Sequence, residues 1–146
     1  MTVFADSSAL VKLYVPEEGN VAVRSITEPI VIACLARVEV PAAFWGKVRT
    51  GELAVDDANV LVSAFEYDYH GNEDDDPMFA VVSHNESTLI DAARHAARHQ
   101  LRAYDAVQLA CAIAARRADP SVQTIAVFDR ALRAAAIAER FAILEN

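Results

Sequence analysis

Glycine and proline are scarce, 4 and 5 of 146 residues, which excludes collagen-like and low-complexity disordered chains. Cysteine is scarcer still. Cys34 and Cys111 stand in apolar surroundings with no CxxC spacing, so both read as buried free thiols of a reduced, cytoplasmic protein. No apolar run nears the roughly 20 residues of a membrane span. The N-terminus carries neither a basic region nor the apolar core of a signal peptide, so no membrane partner is expected. A glycine-rich phosphate loop, a Ser-His-Asp order and a reactive-cysteine setting are also missing, which removes several covalent and nucleotide-binding classes.

What is present is apolar bulk. Hydrophobic residues make up 54% of the chain, enough to fill the core of a single domain spanning 1–146. The net charge of −8 is unevenly spread. Residues 1–93 hold 5 basic and 16 acidic residues, a net −11, whereas residues 94–146 hold 8 arginines against 5 acids, a net +3. The acidic total weakens a nucleic-acid reading without excluding it, because a local basic face can exist on an acidic protein.

Short β-branched runs alternate with amphipathic stretches. TVFA (2–5), PIVIA (29–33), FAVVS (79–83) and TIAVF (124–128) read as strands, with an edge strand at 141–144. Helices are predicted from Ser7 or Ser8 to Tyr14, over 19–27, 35–49, 55–67, 86–100, 104–118 and 130–139. In the 35–49 helix the apolar stripe reads as Leu35, Val38, Ala42, Trp45 and Val48, with Pro41 marking a kink or the true start. The acid-rich stretch 70–77, HGNEDDDP, lacks the alternating ligand spacing of a calcium loop and reads as a solvated turn. This alternation predicts an α/β chain whose mostly parallel central sheet of four to five strands is covered on both faces.

Four acids stand out in that frame. Asp6 ends the first strand and Asp129 follows the fourth, so both fall at the carboxyl edge, where open α/β sheets bind ligands. Glu39 interrupts the apolar stretch CLARVEVPAAFW, and Asp105 lies near the first turn of the helix in LRAYDAVQLA. Singly, each has an ordinary account: a helix cap for Asp6 or Asp105, an ion pair with Arg37 or a distant arginine for Glu39. Together, four carboxylates repel one another and favour either protonation or a cation. An oxygen-only donor set suits Mg²⁺ or Mn²⁺, which points to metal-assisted phosphodiester hydrolysis.

The segments DSSALVKLYVPEEG, ARVEVPAAFW, LRAYDAVQLA and VFDRALRAAA, taken in order, resemble the PIN-domain ribonucleases, specifically the VapC-type toxins of toxin–antitoxin pairs. That resemblance spans the chain and implies a PIN-like three-layer α/β/α fold. It makes Asp6 and Asp105 the principal metal ligands, with Glu39 and Asp129 completing the site directly or through water. It gives Ser8 the task of orienting Asp6 or a water beside it. It implies cleavage of single-stranded or loop RNA, a VapB-like antitoxin and a homodimer. Where many relatives carry His, this chain has Gln108, a change that bears on substrate contacts.

Rival readings use other features. A non-catalytic PIN-like module binding RNA or protein would keep the fold without the chemistry. A small-molecule phosphohydrolase would place a second Asp two residues after the first, but position 8 is Ser. His95 and His99, four apart among arginines, fit a solvated basic face better than a zinc site, because the Glu of HExxH is missing.

Overall fold

Complete burial marks the two central runs as interior strands. Thr2–Ala5 (β1) and Ile30–Ala33 (β2) are inaccessible along their whole length, as parallel strands covered on both faces must be. The protein is described here by a computed structural model covering residues 1–145; the last residue of the expected 1–146 span lies outside them. Phe79–Val82 (β3), Val122–Ala126 (β4) and Ala142–Ile143 (β5) complete the strands among the described residues. The sheet runs in the order β3-β2-β1-β4-β5, and every pairing is parallel. The chain therefore builds outward from β1 to β3, then returns across β1 to lay down β4. That reversal is a topological switch point between β1 and β4.

Strand alternation sorts the apolar side chains to two faces. Val3, Ala5, Ile30 and Ile32 face one core with helices Ser7–Tyr14 (α1), Asn20–Arg24 (α2), Ala36–Arg49 (α3) and Val55–His70 (α4). Phe4, Val31, Ala33 and Ile125 face the other, with Glu86–His99 (α5), Ala103–Ala118 (α6) and Arg130–Ala138 (α7). The result is the expected three-layer α/β/α arrangement with a five-stranded parallel sheet.

Several local expectations shift. The buried face of α3 is Ala36, Val40 and Phe44, while Val38 is exposed. Pro41 lies inside this helix rather than at its start. The large residues Val38 and Trp45 suggested a stripe, but the i, i+4, i+8 row through Phe44 is the one that meets the sheet. Tyr14 closes over that row, with ring centroids 5.8 Å from Phe44 and 5.9 Å from Phe65, and donates to Asp68 at 2.6 Å. β4 begins two residues earlier than the TIAVF run, and α4 continues to His70. Asp56 and Asp57 sit in the first turn of α4 without capping it by a side-chain hydrogen bond, so their contribution is to the helix dipole. Cys111 is buried as expected, but Cys34 is only half-buried and lies 3.1 Å from His84 Nδ1. No helix among the described residues is long and apolar enough to cross a membrane.

Candidate active site

Asp6 follows Ala5 at the carboxyl end of β1, where its backbone N–H still donates to the Ala126 carbonyl of β4 at 3.1 Å. The carboxylate is the N-cap of α1, accepting from the Ala9 amide at 3.1 Å. It also accepts from the Ser8 hydroxyl at 2.7 Å. Asp6 itself is therefore the cap, with Ser7 as the first helical residue. Ser8 in turn accepts from the Phe128 amide at 3.0 Å, so one hydroxyl ties Asp6 to the end of β4. Asp6 is only 4% exposed. Burial pushes its pKa up to about 7, against the opposing hydrogen bonds of Ser8 and the Ala9 and Ser8 amides, and Glu39 adds a further upward push.

Glu39 enters from the first half of α3. Its Oε1 accepts from Ser7 at 3.0 Å and from Gln108 Nε2 at 2.7 Å, and Gln108 Nε2 also reaches Ser7 at 3.0 Å. The ordinary partner considered for Glu39, Arg37, lies instead 3.5 Å from Glu66. Gln108 is 2% exposed and supports Glu39 from the interior. Its Oε1 has no hydrogen-bond partner.

Asp105 sits in the first turn of α6, half-buried, on a helix that leads into β4 after a three-residue connection. Its pKa is raised, chiefly by burial and then by the charges of Asp129 and Glu39, with Arg102 pulling the other way. Asp129 caps α7, accepting from the Leu132 amide at 2.8 Å, and is exposed. Glu39, Asp105 and Asp129 line one open cleft of about 420 Å³, together with Arg102, Ala103 and Tyr104. Asp6 lies behind it, coupled to Glu39.

Placement thus brings the four acids to one edge, at the switch point, without converging them. Among the described residues, no three of these carboxylates set one oxygen each within 4.8 Å of one another. Their donor chemistry still fits Mg²⁺ or Mn²⁺. These ions take oxygen ligands, and Mg²⁺ commonly uses only one or two carboxylates while keeping several waters. Burial first, and neighbouring acids second, push both Asp6 and Asp105 toward protonation, a tendency that a divalent cation would oppose.

Three further residues shape the cleft, of which Tyr104 was not singled out from sequence. Tyr104, 60% exposed, offers an aromatic face beside the acids. Arg102 stands at the rim, and Ser7 shares the hydrogen bonds of Glu39. Tyr104 carries a readable signal, an exposed aromatic one residue before the helix acid. A second cleft adjoins Ser8 and Asp129 and is lined also by Lys12, Lys47, Arg49 and Phe128. Lys12 pairs with Glu17 at 3.0 Å and lies 4.5 Å from the Phe128 ring centroid.

Neither a scan of protein-family models nor a search of curated proteins matches the chain. Among solved structures it is similar to the crystal structure of FitAcB from Neisseria gonorrhoeae, with a TM-score of 0.62 at 17% identity, covering 98% of this chain and 96% of that one. That likeness, joined to the sheet order, establishes a PIN-like α/β/α fold for this chain.

Proposed function

We propose that this protein is a Mg²⁺- or Mn²⁺-dependent endoribonuclease, the toxin of a VapBC-type toxin–antitoxin pair. The observation that carries the reading is Asp6: a buried carboxylate at the switch point, tied by Ser8 to β4 and backed by three further acids at the same edge. Asp6 and Asp105 would hold the cation, with Glu39 and Asp129 completing the set. Such a cation, when bound, supplies charge stabilisation for the phosphoryl group and activates water.

The residues of the chain supply the rest. Ser8 fixes the rotamer of Asp6 through its short hydrogen bond, and Gln108 and Ser7 do the same for Glu39. Tyr104 offers a stacking platform for an unpaired base, the usual way single-stranded or loop RNA is gripped. Arg49, Arg102, Arg130 and Arg133 are exposed and, among the described residues, take part in none of the ion pairs. They are available to RNA phosphates. The motif resemblance extends the proposal to a homodimer and to a VapB-like antitoxin. An arginine from that partner would pair with the carboxylates and block the cleft.

The test is incubation of a structured RNA with the purified protein in Mg²⁺, in Mn²⁺ and in EDTA, followed by mapping of the ends. Chelator-sensitive cuts confined to unpaired segments are expected. RNA binding without cleavage in either metal would instead favour a non-catalytic PIN-like binding module.

A further inference from the structure

The second half of α5 and the end of α7 hold a donor cluster that the acidic cleft does not use. His95 and His99, one turn apart on α5, stack with ring centroids 5.9 Å apart and planes 16° from parallel. Both face Glu139, the C-cap residue of α7. His99 Nε2 lies 2.8 Å and His95 Nδ1 3.8 Å from Glu139 Oε1. One donor atom from each of the three falls within 4.8 Å of the others, the only such trio of His, Cys, Asp or Glu among the described residues. The side chains are 15%, 11% and 17% exposed. The expected solvated basic face is therefore a half-buried pocket, and the third member arrives from 40 residues away, where no local motif could reveal it.

Hydrogen bonding leaves this pocket incomplete. His95 Nδ1 is buried without a partner, a nitrogen lone pair or N–H facing a carboxylate too distant to bond it. We propose that His95, His99 and Glu139 form a Zn²⁺ site that fastens α5 to the end of α7, with water in the fourth position. Two imidazole nitrogens and one carboxylate oxygen are a recognised zinc donor set. Ligand atoms around tetrahedral zinc stand roughly 3.3 Å apart, given bonds of about 2.0–2.1 Å, so side-chain adjustments of about an ångström close the site. Two cationic groups stand beside the site: Arg116 Nη2 donates to the Glu139 backbone carbonyl at 3.0 Å, and Arg98 approaches the carboxylate. Arg98 Nη1 lies 3.6 Å from Glu139 Oε1, but its side chain is 71% exposed and free to leave. Asp129 and Glu139 stand at opposite ends of α7, roughly 15 Å apart along its axis, so the proposal is independent of the nuclease reading.

The test titrates Zn²⁺ into the full chain, stripped of metal, against a chromogenic chelator, with far-UV circular dichroism as the check on folding. Wild type and Asp6→Asn are expected to bind one tight equivalent. His95→Gln and His99→Gln should each weaken it by about 100-fold or more. Arg98→Ala should tighten it a few-fold by removing the competing charge, an effect a purely structural trio would not give. In Co²⁺ the wild type should show the visible absorption of a four-coordinate site, absent from His99→Gln. Equal Zn²⁺ affinity in wild type and both histidine variants would overturn the proposal, as would loss of the tight equivalent in Asp6→Asn alone.

Discussion

At the scale of single residues, the site depends on polar groups that are buried but almost all spoken for. Glu39 is held by two donors, and the stronger contact comes from Gln108 at 2.7 Å. Gln108 in turn leaves its own Oε1 unpaired in the interior, an arrangement that disfavours folding while it positions a carboxylate. Replacing Gln108 by Met keeps the volume and removes both donor and orphaned acceptor. Cleavage should fall by about 10- to 100-fold, while stability changes by less than about 1 kcal/mol; single-turnover rates and urea melts on one preparation read both. Asp6 and Asp129 were legible from sequence because each follows a strand. Ser8 was legible through its spacing from Asp6. The partners of Glu39 were not, since nothing local links position 39 to positions 7 and 108.

At the scale of elements, the geometry rests on how the end of β4 meets α1 and α2. Gly19, the residue before α2, has φ of +85° and packs directly under the Phe128 ring. A methyl group there would collide with that ring, whose backbone amide holds Ser8. Gly19→Ala should therefore cost about 1–3 kcal/mol, seen as a lower urea midpoint at unchanged slope. The strand–helix order could be read from periodicity, because short β-branched runs and capped amphipathic stretches differ in length and composition. The buried face of α3 could not, since its small Ala36 and its flanking Val38 and Trp45 give the wrong stripe the greater apparent hydrophobicity. All four acids lie at helix starts; Asp6 and Asp129 could be placed from the strand ends, but bringing Glu39 and Asp105 to the same edge depends on the strand order.

At the scale of the whole molecule, burial of charge at the sheet edge links stability to pH. With divalent cations chelated, folded Asp6 keeps its proton up to about pH 7, whereas the unfolded chain releases it near its ordinary value of 3.8. Between those values the unfolded state binds fewer protons, so stability falls as pH rises from about 4 to about 7, then levels off. At about 1.4 kcal/mol per unit, the ceiling for this group is on the order of 4 kcal/mol. Asp105, also raised, acts in the same direction. Asp6→Asn removes the larger part of the slope, so in EDTA its stability relative to wild type should be higher at pH 8 than at pH 5. Urea melts of the two proteins at both pH values measure the gap directly.

We propose that the carboxylates at the switch point perform divalent-cation-dependent hydrolysis of RNA. The most direct test of this proposal is cleavage of total cellular RNA, free of antitoxin, by wild type beside Asp6→Asn and Asp105→Asn, in Mg²⁺, Mn²⁺ and EDTA. Discrete fragments from wild type only, abolished by EDTA and by either substitution in a folded protein, are the predicted result. Equal cleavage by all three proteins, or cleavage that persists in EDTA, would contradict it.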